Sequence, residues 1–359
     1  MLFLGCSYCI FLYLCSKYLI MSNQEKNTYS KLKRARLYIV LTVLIVFAVM
    51  DAVIWQAAYQ LNKKGISDRY VGITALSSEK IGKTIWGMEM NAMNVFDEVE
   101  KHLDTPESVV AALESKTSLN PDVRGYFAAF EPNYFPSVGN WFEPYVHHID
   151  DQEFELRMVG SARHNYHKSP WYVRAKEENK SFWSDPYYYY DGTRISGHYT
   201  TFVKPIFDAE GRLACVCGAD MTFEWISKEL TRISDQPNSD EMLNKYIRLD
   251  GHNFFIVVID KDGSQIAGPQ GKQVSMTDNQ LVQELKLGKS GCVDMMVNGV
   301  PSTVYYSPID RVDWSVAVVV AKQDLEKSLV KLAIILLVLS ILGIVVVWTI
   351  CSRLKHVEA

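Results

Sequence analysis

The chain has 359 residues, of which 48% are hydrophobic and 22% are charged, and its 37 Lys and Arg against 41 Asp and Glu leave a net charge of −4. This composition excludes a disordered tail, and the weakly acidic balance excludes a nucleic-acid-binding protein. The longest apolar runs lie near the two ends of the chain, which indicates membrane-spanning segments on either side of a folded domain.

The first 20 residues are almost wholly apolar, with Lys17 as their single charge. They have neither the basic start nor the small-residue cleavage site of a secretory signal sequence. The simplest interpretation is that translation begins at Met21, although a third span or a signal sequence is the alternative. Residues 1–36 are assigned as a cytoplasmic leader, with translation of residues 1–20 left open.

Two segments have the length and composition of transmembrane helices. Residues 37–58 contain one charge, Asp51, which we expect near the outer end, where a carboxylate reaches the interface. Residues 329–350 include an uncharged run that starts at Leu332. About 20 such residues in a helix cross the apolar core of a bilayer.

Basic residues flank both predicted spans on the side away from the central domain. They are Lys31, Lys33, Arg34 and Arg36 before the first span, and Arg353 and Lys355 after the second. Positive charge favours the cytoplasmic side. The sequence therefore predicts a two-pass protein of the inner (cytoplasmic) membrane, with both termini inside and residues 61–323 in the periplasm or outside the cell.

The outer domain begins with a predicted long helix from Leu61 to His102, which continues out of the membrane, and a shorter helix from Glu107 to Lys116. The chain then changes to short strand-like runs. We expect an antiparallel meander, and a helix that closes this first module. The predicted elements are strands Val123–Phe130, His198–Phe207 and Arg212–Asp220, a helix starting at Pro170, and a closing helix Thr222–Leu230.

A second, smaller module repeats this pattern. Its predicted elements are strands Phe254–Asp260, Ser264–Ala267, Gly291–Val297, Val300–Ser307 and Trp314–Val320, with one helix, Asp278–Leu287. Asn298-Gly299 is typical of a two-residue hairpin turn. Another helix starts at Lys322 and runs into the second span. The predicted fold is α+β: one long helix carries a distal module over about residues 104–232 and a proximal module over about residues 250–321.

The order of these elements resembles the double Cache (PDC, PAS-like) sensor domains of bacterial chemoreceptors, histidine kinases and related transducers. Four segments carry the resemblance: Ser169-Pro-Trp-Tyr172, Trp183-Ser-Asp-Pro-Tyr187, Val203-Lys-Pro-Ile-Phe-Asp-Ala-Glu-Gly-Arg-Leu213 and Cys217-Gly-Ala-Asp220. The resemblance implies a small-molecule pocket in the distal module. Trp171, Tyr172, Tyr187 and Asp220 match the positions with which amino-acid-binding members hold their ligand.

Two positions depart from that pattern. Ser169 stands where the family has the Arg that grips a ligand carboxylate, and Tyr189 stands where it has an Asp. Without the Arg, the bidentate carboxylate clamp is missing, unless Arg163, Lys168 or Arg174 replaces it.

The residues themselves also indicate a pocket. Aromatic side chains with polar tips, near a carboxylate that ends an apolar strand, suit a small-molecule site, and an aromatic cage facing Asp220 suits an amine. The candidate ligand-binding residues are Trp171, Tyr172, Tyr187, Tyr189, His198 and Asp220. Two alternatives stay open: some of these rings are core packing, with alternate tyrosines of Tyr187–Tyr190 facing solvent, and Asp220 is a helix N-cap.

The sequence predicts no metal, cofactor or catalytic site. The pairs His147-His148 and His164 with His167 lack the spacing of a structural zinc site, and no phosphate-binding loop, G-x-S-x-G or H-E-x-x-H motif occurs. Cys215 and Cys217 share one face of a predicted strand, as small buried hydrophobic residues.

These features favour a transmembrane sensor that binds a small ligand such as an amino acid or an amine. It is expected to act as a parallel homodimer and to pass the signal through the second span to an output domain beyond residue 359, because residues 351–359 provide only the start of a cytoplasmic linker. A membrane-anchored extracytoplasmic enzyme and a structural ectodomain are the alternatives.

Overall fold

The computed structural model describes residues 28–116, 123–149, 153–190, 196–235, 254–268 and 273–353. Residues 1–20, residues 236–253 between the two sheets and residues 354–359 lie outside these ranges. The chain forms two compact units. One is Ile66–Leu325, and the other combines the segments before and after it.

Helix α1, Thr28–Lys101, is 74 residues long and contains the predicted helix of the outer domain. From Ile66 to Val99, one face of α1 is buried along its whole length. Ile73, Ile81 and Ile85 pack into the core of the second sheet, and Val95 and Phe96 pack into the core of the first. The prediction that one helix carries both modules is therefore confirmed. Helix α2, Pro106–Lys116, follows it.

The first sheet has seven strands, and all its pairs are antiparallel. Its order is β3-β2-β1-β7-β6-β4, with β5 also paired to β6. Helix α3, Pro170–Glu178, lies between β3 and β4 in the chain. The strands are β1 Val123–Phe130, β2 Pro144–His148, β3 Phe154–Met158, β4 Phe182–Trp183, β5 Tyr187–Tyr190, β6 Ser196–Phe207 and β7 Leu213–Thr222.

The second sheet has five strands in the order β10-β11-β12-β8-β9. Helix α4, Glu224–Asp235, precedes it, and helix α5, Asn279–Lys286, is capped by the Asp278 carboxylate. The hairpin turn of this sheet at Asn298-Gly299 has positive φ at both residues, as predicted for this dipeptide. The strands are β8 Phe254–Asp260, β9 Gln265–Ala267, β10 Gly291–Val297, β11 Val300–Pro308 and β12 Trp314–Ala321.

Both sheets place their first and last strands side by side. In the first sheet β1 pairs with β7, and in the second β8 pairs with β12. Each sheet is covered on both faces, because its alternating side chains enter two separate hydrophobic clusters. The α+β prediction is confirmed, and the second sheet is the smaller of the two, with five strands against seven.

Two expectations about the first module are wrong. The strands do not form a simple meander, because β1 pairs with β7 and with β2, a strand the sequence did not predict. Helix α4 does not close the first module either. Its buried residues Ile226 and Leu230 join the core of the second sheet, and the Glu229 carboxylate lies 2.8 Å from Lys80 Nζ on α1.

Two helices are long and apolar enough to cross a membrane. They are the early part of α1 and helix α6, Lys322–Arg353, with mean hydropathy of 2.7 and 3.0 over their most apolar windows. Ser340 Oγ on α6 donates a hydrogen bond of 2.6 Å to Asp51 Oδ2 on α1. Asp51 therefore has a hydroxyl partner on the other apolar helix, which the sequence did not predict.

Candidate functional site

The two faces of the first sheet differ in what they carry. Cys215, Cys217 and Ala219 on β7 face α1 and α2, and are buried there as the sequence predicted. The alternate residues Val216, Gly218 and Asp220 face the opposite side, where α3 packs. The functional face is therefore the side of the sheet that does not touch α1.

Two glycines leave space on this face for aromatic rings. Gly218 lies opposite Phe127 in the β1–β7 register, and a Cβ at position 218 would come within 2.1 Å of the Phe127 ring. A Cβ at Gly125 would come within 2.7 Å of the Tyr145 ring. Because neither glycine has a side chain, both rings can lie close to the strands, where they form the floor of a cavity.

This cavity has a volume of about 430 Å³ and an aromatic and acidic lining. Its floor comes from the sheet, and its wall comes from α3 and the segments on either side of β4. The lining residues are Phe127, Glu143, Tyr145, Val159, His164, Ser169, Pro170, Trp171, Arg174, Phe182, Ser184, Asp185, Pro186, Tyr187, Tyr189 and Asp220.

Asp220 lies on the floor, inside a network of hydroxyl groups. Its Oδ1 accepts a hydrogen bond of 2.7 Å from Thr201 Oγ1 and one of 3.3 Å from the Tyr187 hydroxyl. Burial raises the pKa of Asp220 to about 6, and these hydrogen bonds partly oppose the increase. Helix α4 begins four residues later, at Glu224, so Asp220 is not its N-cap.

Glu143 is the second carboxyl group of the cavity. It is 4% exposed, immediately before β2. Burial, and then the negative charge of Asp220, raise the pKa of Glu143 well above its usual range. Within the described part of the chain its Oε2 has no hydrogen-bond partner, and His164 Nε2 lies 3.7 Å away. Burial lowers the pKa of His164, which favours the neutral imidazole.

The wall of the cavity is aromatic. The Trp171 ring lies 5.0 Å from Phe127, and Tyr189 meets His164 edge to face at 6.0 Å. The Arg174 guanidinium sits 4.0 Å above the Phe182 ring, and its Nε donates a hydrogen bond of 2.9 Å to Glu178. The cationic side chain of the wall is therefore already paired with a carboxylate.

Four of the six predicted site residues, Trp171, Tyr187, Tyr189 and Asp220, line this cavity. Tyr188 is 61% exposed, so the tyrosines of β5 alternate between the cavity and solvent. The side chain of Tyr190 lies outside the described residues.

The other two predicted residues lie elsewhere, which corrects their assignment to the pocket. Tyr172 is buried on the inner side of α3, and its hydroxyl donates a hydrogen bond of 2.8 Å to Glu131. His198 is exposed and contacts Tyr188, because its position on β6 points away from the face that carries Thr201.

Sequence reasoning missed Glu143 and Tyr145. Both lie on or beside β2, a strand that was not predicted because polar residues interrupt its apolar pattern. The signal was the run Phe142-Glu143-Pro144-Tyr145-Val146, in which a single carboxylate stands among apolar residues. Of the proposed replacements for the missing Arg, only Arg174 belongs to the lining.

The described residues contain no group of three or more His, Cys, Asp or Glu side chains placed to hold a metal ion. His147 and His148 are buried on β2, and the neighbouring Asp150 and Asp151 lie outside the described ranges. The Sγ atoms of Cys215 and Cys217 are 3.9 Å apart, and both thiols are free and buried.

Residues 109–228 match the family model of the methyl-accepting chemotaxis protein-like, first PDC sensor domain. The fold is similar to the extracellular domain of the putative histidine kinase mmHK1S-Z3, at 17% identity and a TM-score of 0.58, over 74% of this chain and 97% of that one. The periplasmic sensory domain of the Campylobacter jejuni chemoreceptor Tlp1 gives 14% identity and a TM-score of 0.58, over 74% and 98%. No curated protein sequence matches this chain.

The resemblance to Cache domains is thereby confirmed. The match to a PDC sensor domain lies within residues 109–228, in the module that holds the cavity. The two similar structures support the same fold across both modules.

We predict that Asp220→Asn changes how stability depends on pH. Because the pKa of Asp220 rises from 3.8 in the unfolded chain to about 6 in the folded one, the folded state binds the proton more tightly. Ionisation of Asp220 therefore removes up to about 3 kcal/mol of stability as the pH rises from about 4 to 6. Unfolding in urea at pH 4 and pH 7 should show the Asn variant gaining stability over wild type at the higher pH.

The control for this prediction is Asp185→Asn, at the exposed rim of the same cavity. If the free energy of unfolding of Asp220→Asn changed with pH in the same way as that of wild type, the raised pKa of Asp220 would be contradicted.

We also predict that Gly218→Ala destabilises the protein by about 1–3 kcal/mol, because the new methyl group overlaps the Phe127 ring. Gly87→Ala on α1 is the matched control, since its Cβ meets no atom within 4 Å and alanine favours a helix. Thermal unfolding of the full chain in detergent, followed by near-UV circular dichroism, measures both. Equal stability of Gly218→Ala and wild type would show that the floor is loosely packed.

Proposed function

We propose that this protein is a transmembrane sensor that binds a small extracytoplasmic ligand in the cavity of its first module. The observation that carries the proposal is an aromatic cavity that holds one buried and one partly buried carboxyl group, in the module that matches a PDC sensor domain. A concave, largely apolar site with a few convergent polar groups is the usual form of a small-molecule site. The ligand-binding residues in this proposal are Trp171, Tyr187, Tyr189 and Asp220, now joined by Glu143.

The route of the signal follows the connections of the chain. Asp220 lies near the end of β7, and α4 begins two residues after that strand. Helix α4 packs on the second sheet, and β12 of that sheet continues into α6 without an intervening residue. A movement of β7 on ligand binding would therefore be passed to the second span as a helix shift of about 1–2 Å, as in other transducers.

The orientation in this proposal places the sensor on the outer side of the inner membrane and both termini in the cytoplasm. The basic residues before α1 enters the membrane and after α6 leaves it support this arrangement. The output would be a cytoplasmic domain or partner reached through α6.

We propose further that the sensor works as a parallel homodimer through α1. Val71, Trp86 and Met90 are 46%, 49% and 44% exposed on the face of α1 that its own two sheets leave uncovered, and Ala75 lies on the same stripe. Their spacings of 4, 11 and 4 residues place them on one side of the helix. A two-fold contact would bring this stripe against the same stripe of a second copy.

Ligand binding is predicted to depend on Trp171 and not on His198. A thermal-shift screen of the full chain in detergent against small metabolites identifies ligands, because binding to the folded state raises the melting temperature. Trp171→Ala should weaken binding of such a ligand about tenfold or more, by loss of an aromatic contact.

His198→Ala, on the exposed face of β6, is the matched control and should leave affinity unchanged. Affinities that fall in the His198 variant but not in the Trp171 variant would place the binding site outside this cavity.

The dimer predicts a periodic pattern of crosslinks. Single cysteines at positions 71, 75, 86 and 90, in a background whose native cysteines are replaced by Ser, should form disulfides between copies in membranes. Cysteines at the buried positions 73, 81 and 85 should not, because these face the sheet of their own chain. Equal yields at both sets, or none at either, would argue against this interface.

A further inference from the structure

The cavity is lined by more acidic groups than a single ammonium group could pair with. Glu143 and Asp220 both line it, and they are close enough for the charge of one to affect the ionisation of the other. Asp220 already accepts hydrogen bonds from two hydroxyl groups, whereas Glu143 Oε2 is buried and has no hydrogen-bond partner within the described residues. Such a group costs free energy unless a ligand satisfies it.

The other charged and titratable groups around the cavity do not offset these carboxyl groups. Arg174 lies in the wall and is paired with Glu178. Burial lowers the pKa of His164, so this ring favours the neutral form. Asp185 adds a third acidic group at the rim, where its Oδ1 lies 3.2 Å from Lys261 Nζ. Tyr145 and Tyr187 are neutral, because burial raises their pKa values well above the usual range.

We propose, resting on the function proposed above, that the cavity takes a small dicationic amine, a molecule with two ammonium groups and no carboxylate. One ammonium group pairs with Asp220, and the other with Glu143 Oε2. The aromatic rings of Trp171 and Tyr189 surround the hydrocarbon part between them, and aromatic faces also attract ammonium groups. A ligand carboxylate would instead meet two acidic side chains and no free guanidinium group.

Binding of a diamine is expected to release a proton from Glu143. Without ligand, Glu143 holds its proton, since burial and the neighbouring Asp220 both disfavour its charge. A second ammonium group at Oε2 favours the carboxylate, so the proton of Glu143 leaves to the solvent as the ion pair forms. A monoamine that reaches Asp220 alone leaves Glu143 protonated, and no proton is released from it.

The test is isothermal titration calorimetry of the full chain in lipid nanodiscs, at pH 7, in two buffers of different ionisation enthalpy. The probes are diamines from 1,3-diaminopropane to 1,5-diaminopentane, with 1-aminobutane and 4-aminobutanoate as a monoamine and an amino acid of comparable length. We expect at least one diamine to bind roughly tenfold or more tightly than both comparison compounds, and to release close to one proton.

The variant that isolates Glu143 is Glu143→Gln, which keeps the shape of the side chain and removes its ability to ionise. It should weaken diamine binding roughly 10- to 100-fold, abolish the proton release and leave monoamine binding unchanged. Glu210→Gln, exposed on the β6–β7 turn, is the matched control. The thermal unfolding of each variant shows that it is folded.

Three outcomes would overturn the inference: no diamine binds, 4-aminobutanoate binds more tightly than any diamine, or Glu143→Gln leaves diamine affinity and proton release as in wild type. The results that would contradict the proposed sensor function differ from those that would contradict the diamine as its ligand. If a metabolite screen yields a ligand whose affinity depends on Trp171 but which is not a diamine, the sensor stands and the ligand class is wrong. If no ligand depends on Trp171, the sensor site itself is wrong.

Discussion

Two carboxyl groups, Glu143 and Asp220, lie in one cavity of the first sheet, where water cannot solvate them as it does at the surface. Their burial has a cost that the fold offsets only for Asp220, through the hydroxyl groups of Thr201 and Tyr187. Glu143 Oε2 has no hydrogen-bond donor among the described residues. A site that leaves one carboxyl oxygen without a hydrogen-bond partner is suited to a ligand that brings a positively charged donor. The difference between Asp220 and Glu143 therefore links the structure of the sheet to its proposed role.

The cavity exists because the first sheet is covered differently on its two faces. On one face, α1 and α2 pack against β1 and β7 and leave a continuous hydrophobic core. On the other, Gly125 and Gly218 allow the rings of Tyr145 and Phe127 to lie close to the strands, so that α3 encloses space above them. The second sheet has side chains packed on both faces, including those of α4 and α5. Both sheets therefore pair their first and last strands, and the cavity lies on the first sheet.

Much of the fold was predictable because its signals are local. Strand β8 and hairpin β10–β11 follow from alternating apolar residues and the Asn-Gly turn, and helix α3 follows from Pro170. The partner of a strand depends on distant residues, so the sequence did not show that β1 pairs with β7. Helix α4 was predicted as a helix, but which sheet it covers depends on tertiary packing. Strand β2 was missed since its buried positions include His147 and His148.

The site was predictable to the extent that its residues lie in recognisable segments. Trp171, Tyr187 and Asp220 belong to segments that resemble Cache domains, Tyr189 follows one of these segments by two residues, and all four line the cavity. Tyr172 and His198 were misassigned because a sequence shows that residues alternate without showing which set faces the cavity. Glu143 could not be placed without the β1–β2 pairing, although it determines the charge of the site.

The most direct test of this account is the infrared spectrum of the full chain without ligand at neutral pH, in the region of the protonated carboxyl C=O stretch. The account predicts a band from a buried protonated carboxyl group that is present in wild type and absent from Glu143→Gln, because Glu143 holds its proton beside Asp220. A wild-type spectrum without that band, or one that Glu143→Gln leaves unchanged, would contradict the claim that a buried, uncompensated carboxyl group defines this site.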